Sequence, residues 1–530
     1  MTSSFPIPRK FIVLGILLPL AVLLGYLLAG PMTYSTLTVY GVVVGVLLLP
    51  VLLKWHHPLL IVSLNAAFVV FFLPGQPQLW MLLALGSLGV SVLNSILNKD
   101  FRLITVPSMN RVLCFLLLVV LVTAKFTGGI NLRAAGGSVF GGKKYIFILL
   151  AVVAYYAISV RRIPLDKARA MVNGYFLSSL TAAFCNLIYM VGPGLWWLFI
   201  IFNVDYAMGQ AIEDFAVGST NLKMSRLGGL APATLAVNCW LLARFGIRGM
   251  LDVSKPWRLV VLLLSLALNA FSGFRSGLLF FGLLLAIQFL LEGLWRTRIL
   301  LVLVISTSLG FSLLVPFANK LPLSVQRTLS FLPLEIDSVA RLDALGSTEW
   351  RLQMWKIVSV QIPRYFWLGK GYATSGADLY FAQQSAIRGL ASDFETCLVA
   401  GDYHSGPLTV LIPFGIWGVL AFLAFLIAAV RVMYRNYRYG DPALKTINTL
   451  FFAYFLTRAI SFVVIFGAFD LDLVFFAALT GLSVSLNGGV ASPSGSVSDA
   501  SAPQPEGVPA LSEREMSTAL AVRRQQPWRR

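Results

Sequence analysis

The stretch 404–430, HSGPLTVLIPFGIWGVLAFLAFLIAAV, decides the fold of this chain. From Leu408 to Val430 it is apolar throughout, and a helix needs about 20 such residues to cross the hydrocarbon core of a membrane. His404 and Ser405 stand at the beginning of this run, and Gly415 and Gly418 lie inside it. The stretch therefore predicts a transmembrane helix with a titratable side chain at its entrance.

Similar apolar runs recur along the 530 residues, for example Phe11 to Gly30 and Ile299 to Ala318. Charged residues make up only 12% of the chain, whereas a soluble domain has about 25%. We predict an all-α polytopic membrane protein with about 12 to 14 transmembrane helices. Phe11 to Gly30 is predicted to be the first helix rather than a signal peptide, because no small-residue cleavage site follows it.

The net charge of +19 is spread over alternate short loops and forms no single patch. This alternation follows the positive-inside rule, so we expect lipids around the protein and no nucleic-acid partner. With an even number of spans, both ends lie in the cytoplasm. The four cysteines are scattered and offer neither a disulfide framework nor a zinc pair.

Residues 319–405 form the longest connection and fall on the side opposite the basic loops. A connection of this length is expected to fold, with a helix capped by Ser347 or Thr348 and ending before Pro363. We predict four regions: transmembrane helices in 1–318, a large periplasmic loop in 319–405, further transmembrane helices in 406–487, and a disordered cytoplasmic tail in 488–530.

Two arginines lie beside glycines at helix ends on the same predicted side, Arg226 before Gly228 and Arg275 after Gly273. Taken singly, each has an equal alternative as an arginine that reaches the membrane interface. Together they indicate an anion site, because a guanidinium binds two phosphate oxygens at once and glycine lets a bulky ligand approach. Arg458 lies in the middle of a span, where a structural pair with a carboxylate is at least as good an interpretation.

His404 is the candidate base at this site, because His56 and His57 are predicted to share a short basic turn elsewhere. The alternative is an ordinary polar residue at the membrane boundary. Asp470 and Asp472 have the spacing of a metal-binding pair, but interface polarity is the favoured interpretation. The sequence Gly369-Lys370-Gly371 lacks the rest of a phosphate-binding loop.

The pattern of a histidine, a serine, nine residues, a glycine, two residues and a second glycine is met by His404, Ser405, Gly415 and Gly418. It resembles the signature of the O-antigen ligase family, which groups with O-antigen polymerases among membrane glycosyltransferases. Further similarity lies in the Arg226 and Arg275 segments, in Trp350-Arg351, and in Pro363 followed by Gly369. The resemblance runs from about Arg226 to Gly418.

The resemblance implies transfer of a glycan from undecaprenyl diphosphate to an acceptor hydroxyl, with inversion and without a metal or other cofactor. His404 would be the general base, and Arg226, Arg275 and Arg351 would bind the diphosphate, with Arg327 as an additional candidate. The acceptor would be a glycan or a lipid A-core sugar at the periplasmic face of the bacterial inner membrane. An O-antigen or exopolysaccharide polymerase is the nearest alternative, and a flippase or transporter of lipid-linked glycans is the alternative from another class.

Overall fold

The computed structural model of the protein describes residues 34–73, 75–98, 103–130, 139–216, 226–388 and 394–493, with scattered positions between 15 and 29. The predicted first helix at 11–30 lies mostly outside the described residues. Residues 494–530 of the predicted tail lie outside them as well.

Helices dominate the described chain, as the apolar runs predict. In chain order they are α1 Tyr34–Ser63, α2 Leu79–Leu97, α3 Pro107–Phe126, α4 Gly142–Ser159, α5 Leu165–Leu177, α6 Leu180–Val191, α7 Asp205–Ala216, α8 Leu230–Met250, α9 Trp257–Ala270, α10 Arg275–Leu291, α11 Arg298–Leu314, α12 Leu323–Thr328, α13 Ser338–Ser359, α14 Ile362–Tyr365, α15 Gly376–Ile387, α16 Phe394–Ala400, α17 Gly406–Tyr439, α18 Lys445–Val464 and α19 Phe469–Asn487. Two short strands, β1 Val139–Phe140 and β2 Thr374–Ser375, pair antiparallel.

Within the described residues, ten helical stretches are long and apolar enough to cross a membrane, and the shorter α9 and α10 are apolar too. This confirms the predicted all-α polytopic membrane fold. The innermost of these helices is α19, which packs against α4, α17 and α18. In contrast, α11 has no buried residue and faces outward along its whole length.

The basic turn predicted around His56 and His57 is wrong. Both histidines lie inside α1 and are buried. His56 Nδ1 lies 2.8 Å from the Ser87 hydroxyl, and His57 Nε2 lies 2.9 Å from the carbonyl oxygen of Ile158. The helix continues through this polar stretch because partners on α2 and α4 satisfy the two imidazoles.

The described parts of 319–405, residues 319–388 and 394–405, contain five helices, α12 to α16, and pack onto the rest of the described chain, as the length of this segment predicts. The predicted start of its main helix is wrong, because α13 begins at Ser338 and Asp337 caps it by accepting from the Val339 amide at 2.8 Å. The helix starts early because Ala340 and Ala344 bury one face a turn apart. It ends at Ser359, before Pro363, as expected.

The segment is fastened to one end of the helical bundle, where α10, α17 and α19 begin. We call this the site end and define it by Arg275, Gly406 and Phe469. Here Trp355 Nε1 donates to the Tyr403 carbonyl at 3.2 Å, and a small apolar cluster joins α13 to α17. The fold thereby places the side chains of α13 over the entrance of α17.

Candidate active site

Asp343 on α13 joins two arginines that are far apart in the sequence. Arg226 Nη2 donates to both of its carboxylate oxygens, at 3.0 and 3.1 Å. Arg327, from α12, forms an ion pair with the same carboxylate. Asp343 therefore collects two of the predicted anion-binding side chains at the site end.

Arg275 contacts the same helix one turn further on. Its Nη2 donates to the Ala344 carbonyl at 2.9 Å and to the Thr348 hydroxyl at 3.0 Å. Positions 344, 348 and 351 are three or four residues apart, so Arg351 follows on the same helix face. One face of α13 thus organises the four arginines that the sequence singles out, Arg226, Arg275, Arg327 and Arg351.

The turn between α9 and α10 needs glycine at position 273. Gly273 has a φ of +75°, which L side chains rarely adopt. A Cβ there would also lie 3.0 Å from Arg226 Cγ, and the Gly273 carbonyl accepts a hydrogen bond from Arg327. Gly273 therefore allows Arg226 and Arg327 to pack against the turn that precedes Arg275.

The four arginines differ in how completely the protein uses them. Arg327 is only 6% exposed, and it is held between Asp343 and the Gly273 carbonyl. Arg226 is 29% exposed, and Arg275 and Arg351 are half-buried. Burial lowers the pKa of Arg351, and the nearby charge of Arg327 lowers it further. One carboxylate cannot balance four guanidinium groups, so the cluster favours an anion with several oxygens.

His404 lies between α13 and the loop that precedes α19. Its ring packs edge-on against Trp350, with centroids 5.1 Å apart, and against Phe466 at 5.3 Å. The guanidinium carbon of Arg351 lies 5.9 Å from the centre of the same Phe466 ring. Phe466 thus stands between the histidine and the arginine cluster, and the structure brings all five predicted catalytic and binding residues to one end of the bundle.

The backbone at His404 is unusual. Its φ of +49° is in the left-handed region, and Gln76 is the other non-glycine residue of the described chain with a positive φ. Such a conformation costs on the order of 1–3 kcal/mol and is concentrated at functional sites. This left-handed residue lies two positions before the start of α17, and its imidazole packs against Trp350.

Burial lowers the pKa of His404 below its ordinary value of 6.5. The Asp402 carboxylate, 3.9 Å from Nε2, acts in the opposite direction, while Arg351 adds to the lowering. A neutral imidazole has a free ring nitrogen that accepts a proton. His404 is therefore in the protonation state of a general base at neutral pH.

Gly415 breaks α17 with a φ of +63°, eleven residues into the stretch that begins at Ser405 and two after Pro413. The break exposes the Ile412 and Pro413 carbonyls, which accept from the Lys370 and Gly371 amides at 2.7 and 2.9 Å. A Cβ at Gly415 would lie 2.7 Å from the Phe366 carbonyl oxygen. Glycines in a transmembrane helix commonly permit close helix packing, but Gly415 admits the backbone of the 366–371 loop instead.

The remaining motif residues have local contacts. Ser405 is the N-terminal flanking residue of α17, without a hydrogen bond from its side chain to the helix. A Cβ at Gly418 would lie 2.3 Å from Phe414 Cβ in the same helix. The amides of Lys370 and Gly371 are occupied by α17, which agrees with the rejection of a phosphate loop there.

Arg458 pairs with Asp472, as the structural interpretation of Arg458 requires. Its Nη2 and Nε lie 2.7 and 2.8 Å from Asp472 Oδ1, and the Ala468 amide donates to Oδ2 at 2.8 Å. Asp472 is thus already satisfied by the protein. Among the described residues, no group of three or more His, Cys, Asp or Glu side chains is placed to hold a metal ion.

Two residues of the site, Asp343 and Phe466, were not predicted from the sequence. Asp343 lies eight residues before Arg351, about two helical turns, so it was detectable once α13 was known to begin at Ser338. Phe466 follows α18 in a short loop of ordinary apolar composition. Nothing in its sequence context distinguishes it from the neighbouring aromatic residues.

Comparison with known families gives one match at the position of this site. Residues 259–423 match the family model described as O-Antigen ligase. The matched range contains Arg275, Arg327, Arg351 and His404, and Arg226 precedes it. No curated protein matches the chain significantly. The match confirms the resemblance predicted from the histidine pattern.

Proposed function

We propose that this protein, a multi-pass membrane protein with an O-antigen ligase domain over residues 259–423, transfers a glycan from an undecaprenyl-diphosphate-linked donor to an acceptor hydroxyl. The family match supports a role in glycan transfer in general. We assign the donor, the acceptor class and the residue roles on the chemistry of the site. The proposed location is the bacterial inner membrane, with the site end at the periplasmic face.

The observation that carries the proposal is the arrangement along α13. Its contacts place an excess of guanidinium groups next to a neutral histidine, with the Phe466 ring between them. A diphosphate leaving group needs cations that bind its oxygens more strongly as charge develops. An attacking hydroxyl needs a base that is unprotonated at neutral pH. The two requirements are met by neighbouring parts of one site.

The reaction follows as a single displacement. The acceptor hydroxyl oxygen attacks the anomeric carbon, its proton passes to a ring nitrogen of His404, and the bond from the anomeric carbon to the diphosphate oxygen breaks with its electron pair. The electron pair remains on the diphosphate oxygen, and Arg226, Arg275 and Arg351 stabilise the resulting negative charge as the lipid diphosphate leaves. Because attack and departure occur on opposite faces, the anomeric configuration is inverted.

Arg327 has a supporting part in this scheme. It is buried and held by Asp343 and the Gly273 carbonyl, so it positions the Arg275 turn and the Arg226 partner. Its charge also raises the potential at the site. We therefore propose that Arg226, Arg275 and Arg351 bind the diphosphate directly and that Arg327 acts through them.

Purified protein in nanodiscs tests the function with a lipid-linked glycan donor and a lipid A-core acceptor. We expect a product in which the glycan is joined to the acceptor, together with release of undecaprenyl diphosphate. A ladder of longer lipid-linked chains instead would identify a polymerase. Movement of intact donor between leaflets without a new glycosidic bond would overturn the proposal in favour of a flippase.

The sidedness has its own test in the variant Ser385→Cys, on α15 of the 319–405 segment. An impermeant maleimide should label this cysteine in intact spheroplasts. The matched control, Ser254→Cys in the basic loop between α8 and α9, should react only after lysis. The reverse pattern would refute the periplasmic location.

A further inference from the structure

We infer that a second region of the site end, a cavity beside His404, binds the sugar of the acceptor. This rests on the proposed function and deepens it, because it names the substrate class and the residues that select it. The cavity has a volume of about 810 Å³. Neither His404 nor any of the four clustered arginines lines it. It is therefore separate from the region assigned to the diphosphate.

Asp470 is the residue that points to a ligand. It is the second residue of α19, it is 9% exposed, and it lines the cavity. Its carboxylate accepts a hydrogen bond from its own amide, and the positive charge of Lys144, whose hydrogen bonds go to the carbonyls of Ala400 and Gly401, acts on it from the same wall. Asp472, two residues on, receives Arg458 and the Ala468 amide. A buried carboxylate that lacks such partners is costly to the fold, so it favours a ligand that donates hydrogen bonds.

The walls around Asp470 have the composition that sugars require. Amide and hydroxyl groups are supplied by Asn65, Asn203 and Thr374, and half-buried rings by Tyr206 and Phe475. Sugar hydroxyls bind to carboxylates and amides, while the C–H faces of a pyranose lie against aromatic rings. A pocket with few polar groups among apolar walls fixes both the position and the orientation of such a ligand.

The position of the cavity suits an acceptor. Its wall includes Lys144 and Ala400, and Lys144 Nζ donates to the carbonyls of Ala400 at 2.9 Å and Gly401 at 3.2 Å. The chain then runs through Asp402, 3.9 Å from His404 Nε2. His404 thus stands between this wall and Phe466, which faces the arginines. A base in that place separates an acceptor on one side from a leaving group on the other.

Most of the wall comes from parts of the chain outside the family match. Residues 64–80, 140–147, 199–206 and 454–475 contribute to it, and the matched range 259–423 adds Tyr372, Thr374, Leu379 and Ala400. The arginines and His404, in contrast, lie almost all within the matched range. We infer that the matched region carries the transfer chemistry and that residues 64–236, with α18 and α19, select the acceptor sugar.

Protection of a cysteine in the wall tests this inference. The variant Thr374→Cys is labelled with an uncharged maleimide in nanodiscs, with and without millimolar methyl glycosides of a neutral hexose, an N-acetylhexosamine and a hexuronic acid. We expect at least one of the neutral glycosides to slow labelling severalfold. Ser385→Cys, in the same segment but outside the cavity, should be unaffected by any of them.

The second arm adds Asp470→Asn to Thr374→Cys. We expect the sugar concentration needed for protection to rise roughly ten- to a hundredfold, because a hydrogen bond to a charged group is lost. An unchanged labelling rate without sugar verifies that the cavity is intact, and Asp470→Glu, which keeps the charge, should restore part of the protection. Protection that persists in full in Asp470→Asn would overturn the inference, as would a panel in which no glycoside protects.

Inorganic diphosphate serves as the third probe. It should leave Thr374→Cys unprotected, and protection by diphosphate would reassign the cavity to the donor. The outcome is separable from the proposed function. Transfer activity without sugar protection removes only this inference, whereas sugar protection in a protein without transfer activity removes only the transferase.

Discussion

Arg458 and the four arginines around α13 differ in how far partners within the protein take up their charge and their hydrogen-bond donors. Arg458 is closed, since Asp472 receives two of its nitrogens and is only 8% exposed. The arginines around α13 form an open group in the sense that Asp343 is the carboxylate partner of only Arg226 and Arg327 among the described contacts, while Arg275 reaches a carbonyl and a hydroxyl.

The difference shows why an arginine near a membrane is not by itself a ligand-binding residue. A buried ion pair with its hydrogen bonds complete leaves no donor for a substrate. An arginine whose donors reach only a carbonyl and a hydroxyl, as Arg275 does, retains its charge for an anion. Substitutions should therefore lower the transfer rate at the open group and lower the stability of the fold at Arg458.

The largest expected effect is on the base that stands next to the open group. His404→Ala should lower the transfer rate by roughly a hundred- to ten-thousandfold, the usual contribution of a general base. Donor binding should change little, because it depends on the arginines. His404→Asn is the matched control, since asparagine tolerates the left-handed backbone but is not a base. An Asn variant that turns over normally would refute the assignment.

Breaking the closed pair should affect stability instead. Arg458→Met leaves Asp472 buried without its cation, which costs about 3–5 kcal/mol. Arg275→Met removes only hydrogen bonds to Ala344 and Thr348, so its loss of stability should be clearly smaller. Unfolding in detergent measures both variants. The comparison fails if Arg275→Met is the less stable of the two.

Replacing the planar guanidinium by an ammonium keeps the positive charge and should affect transfer more at Arg275 than at Arg458. Arg275→Lys should lower transfer roughly ten- to a hundredfold, because an ammonium cannot form the paired hydrogen bonds of a guanidinium with a diphosphate. Arg458→Lys should remain nearer to the parent in activity. Initial rates at saturating acceptor provide the measurement. Equal rates for Arg275→Lys and the parent would argue against the diphosphate role.

The transfer rate should depend modestly on pH, and the direction of the change follows from the protonation of His404. Because burial lowers the pKa of His404 below 6.5, the transfer rate should rise with pH as the imidazole loses its proton, with the midpoint of the rise below pH 6.5. Asp402 raises this pKa, so Asp402→Asn should move the rising limb to lower pH. A shift to higher pH would exclude Asp402 as the electrostatic partner of the base.

The smallest expected effect is that of chelation. Asp472 is engaged by Arg458, so Asp470 and Asp472 do not form a pair of free ligands. We expect transfer to be unchanged by EDTA. Activity that falls with EDTA and returns with Mg²⁺ or Mn²⁺ would restore the metal-binding interpretation of the two aspartates.

Much of this protein was accessible from the sequence because its main determinants are local. The length of each apolar run predicts a spanning helix, and the histidine pattern predicts the family now matched over residues 259–423. Arg226 and Arg275 were also found locally, since each is a charge at the end of an apolar run, while Arg327 and Arg351 followed from the family resemblance. The mistakes at His56 and at the start of α13 arose where a distant partner or a buried face overrides local polarity.

The tertiary structure decided which of these charged residues are paired within the protein and which are available to a substrate. Asp470 and Asp472 look alike in the sequence, yet one is neutralised by Arg458 on the neighbouring helix and the other lines a cavity. Arg275 and Arg327 also look alike, yet only Arg327 is enclosed by its partners. Composition and spacing determined that the chain crosses the membrane and where its charges stand. Which charges are left for a substrate depends on contacts between residues 14 to 117 positions apart, and only the packing of the helices sets those contacts.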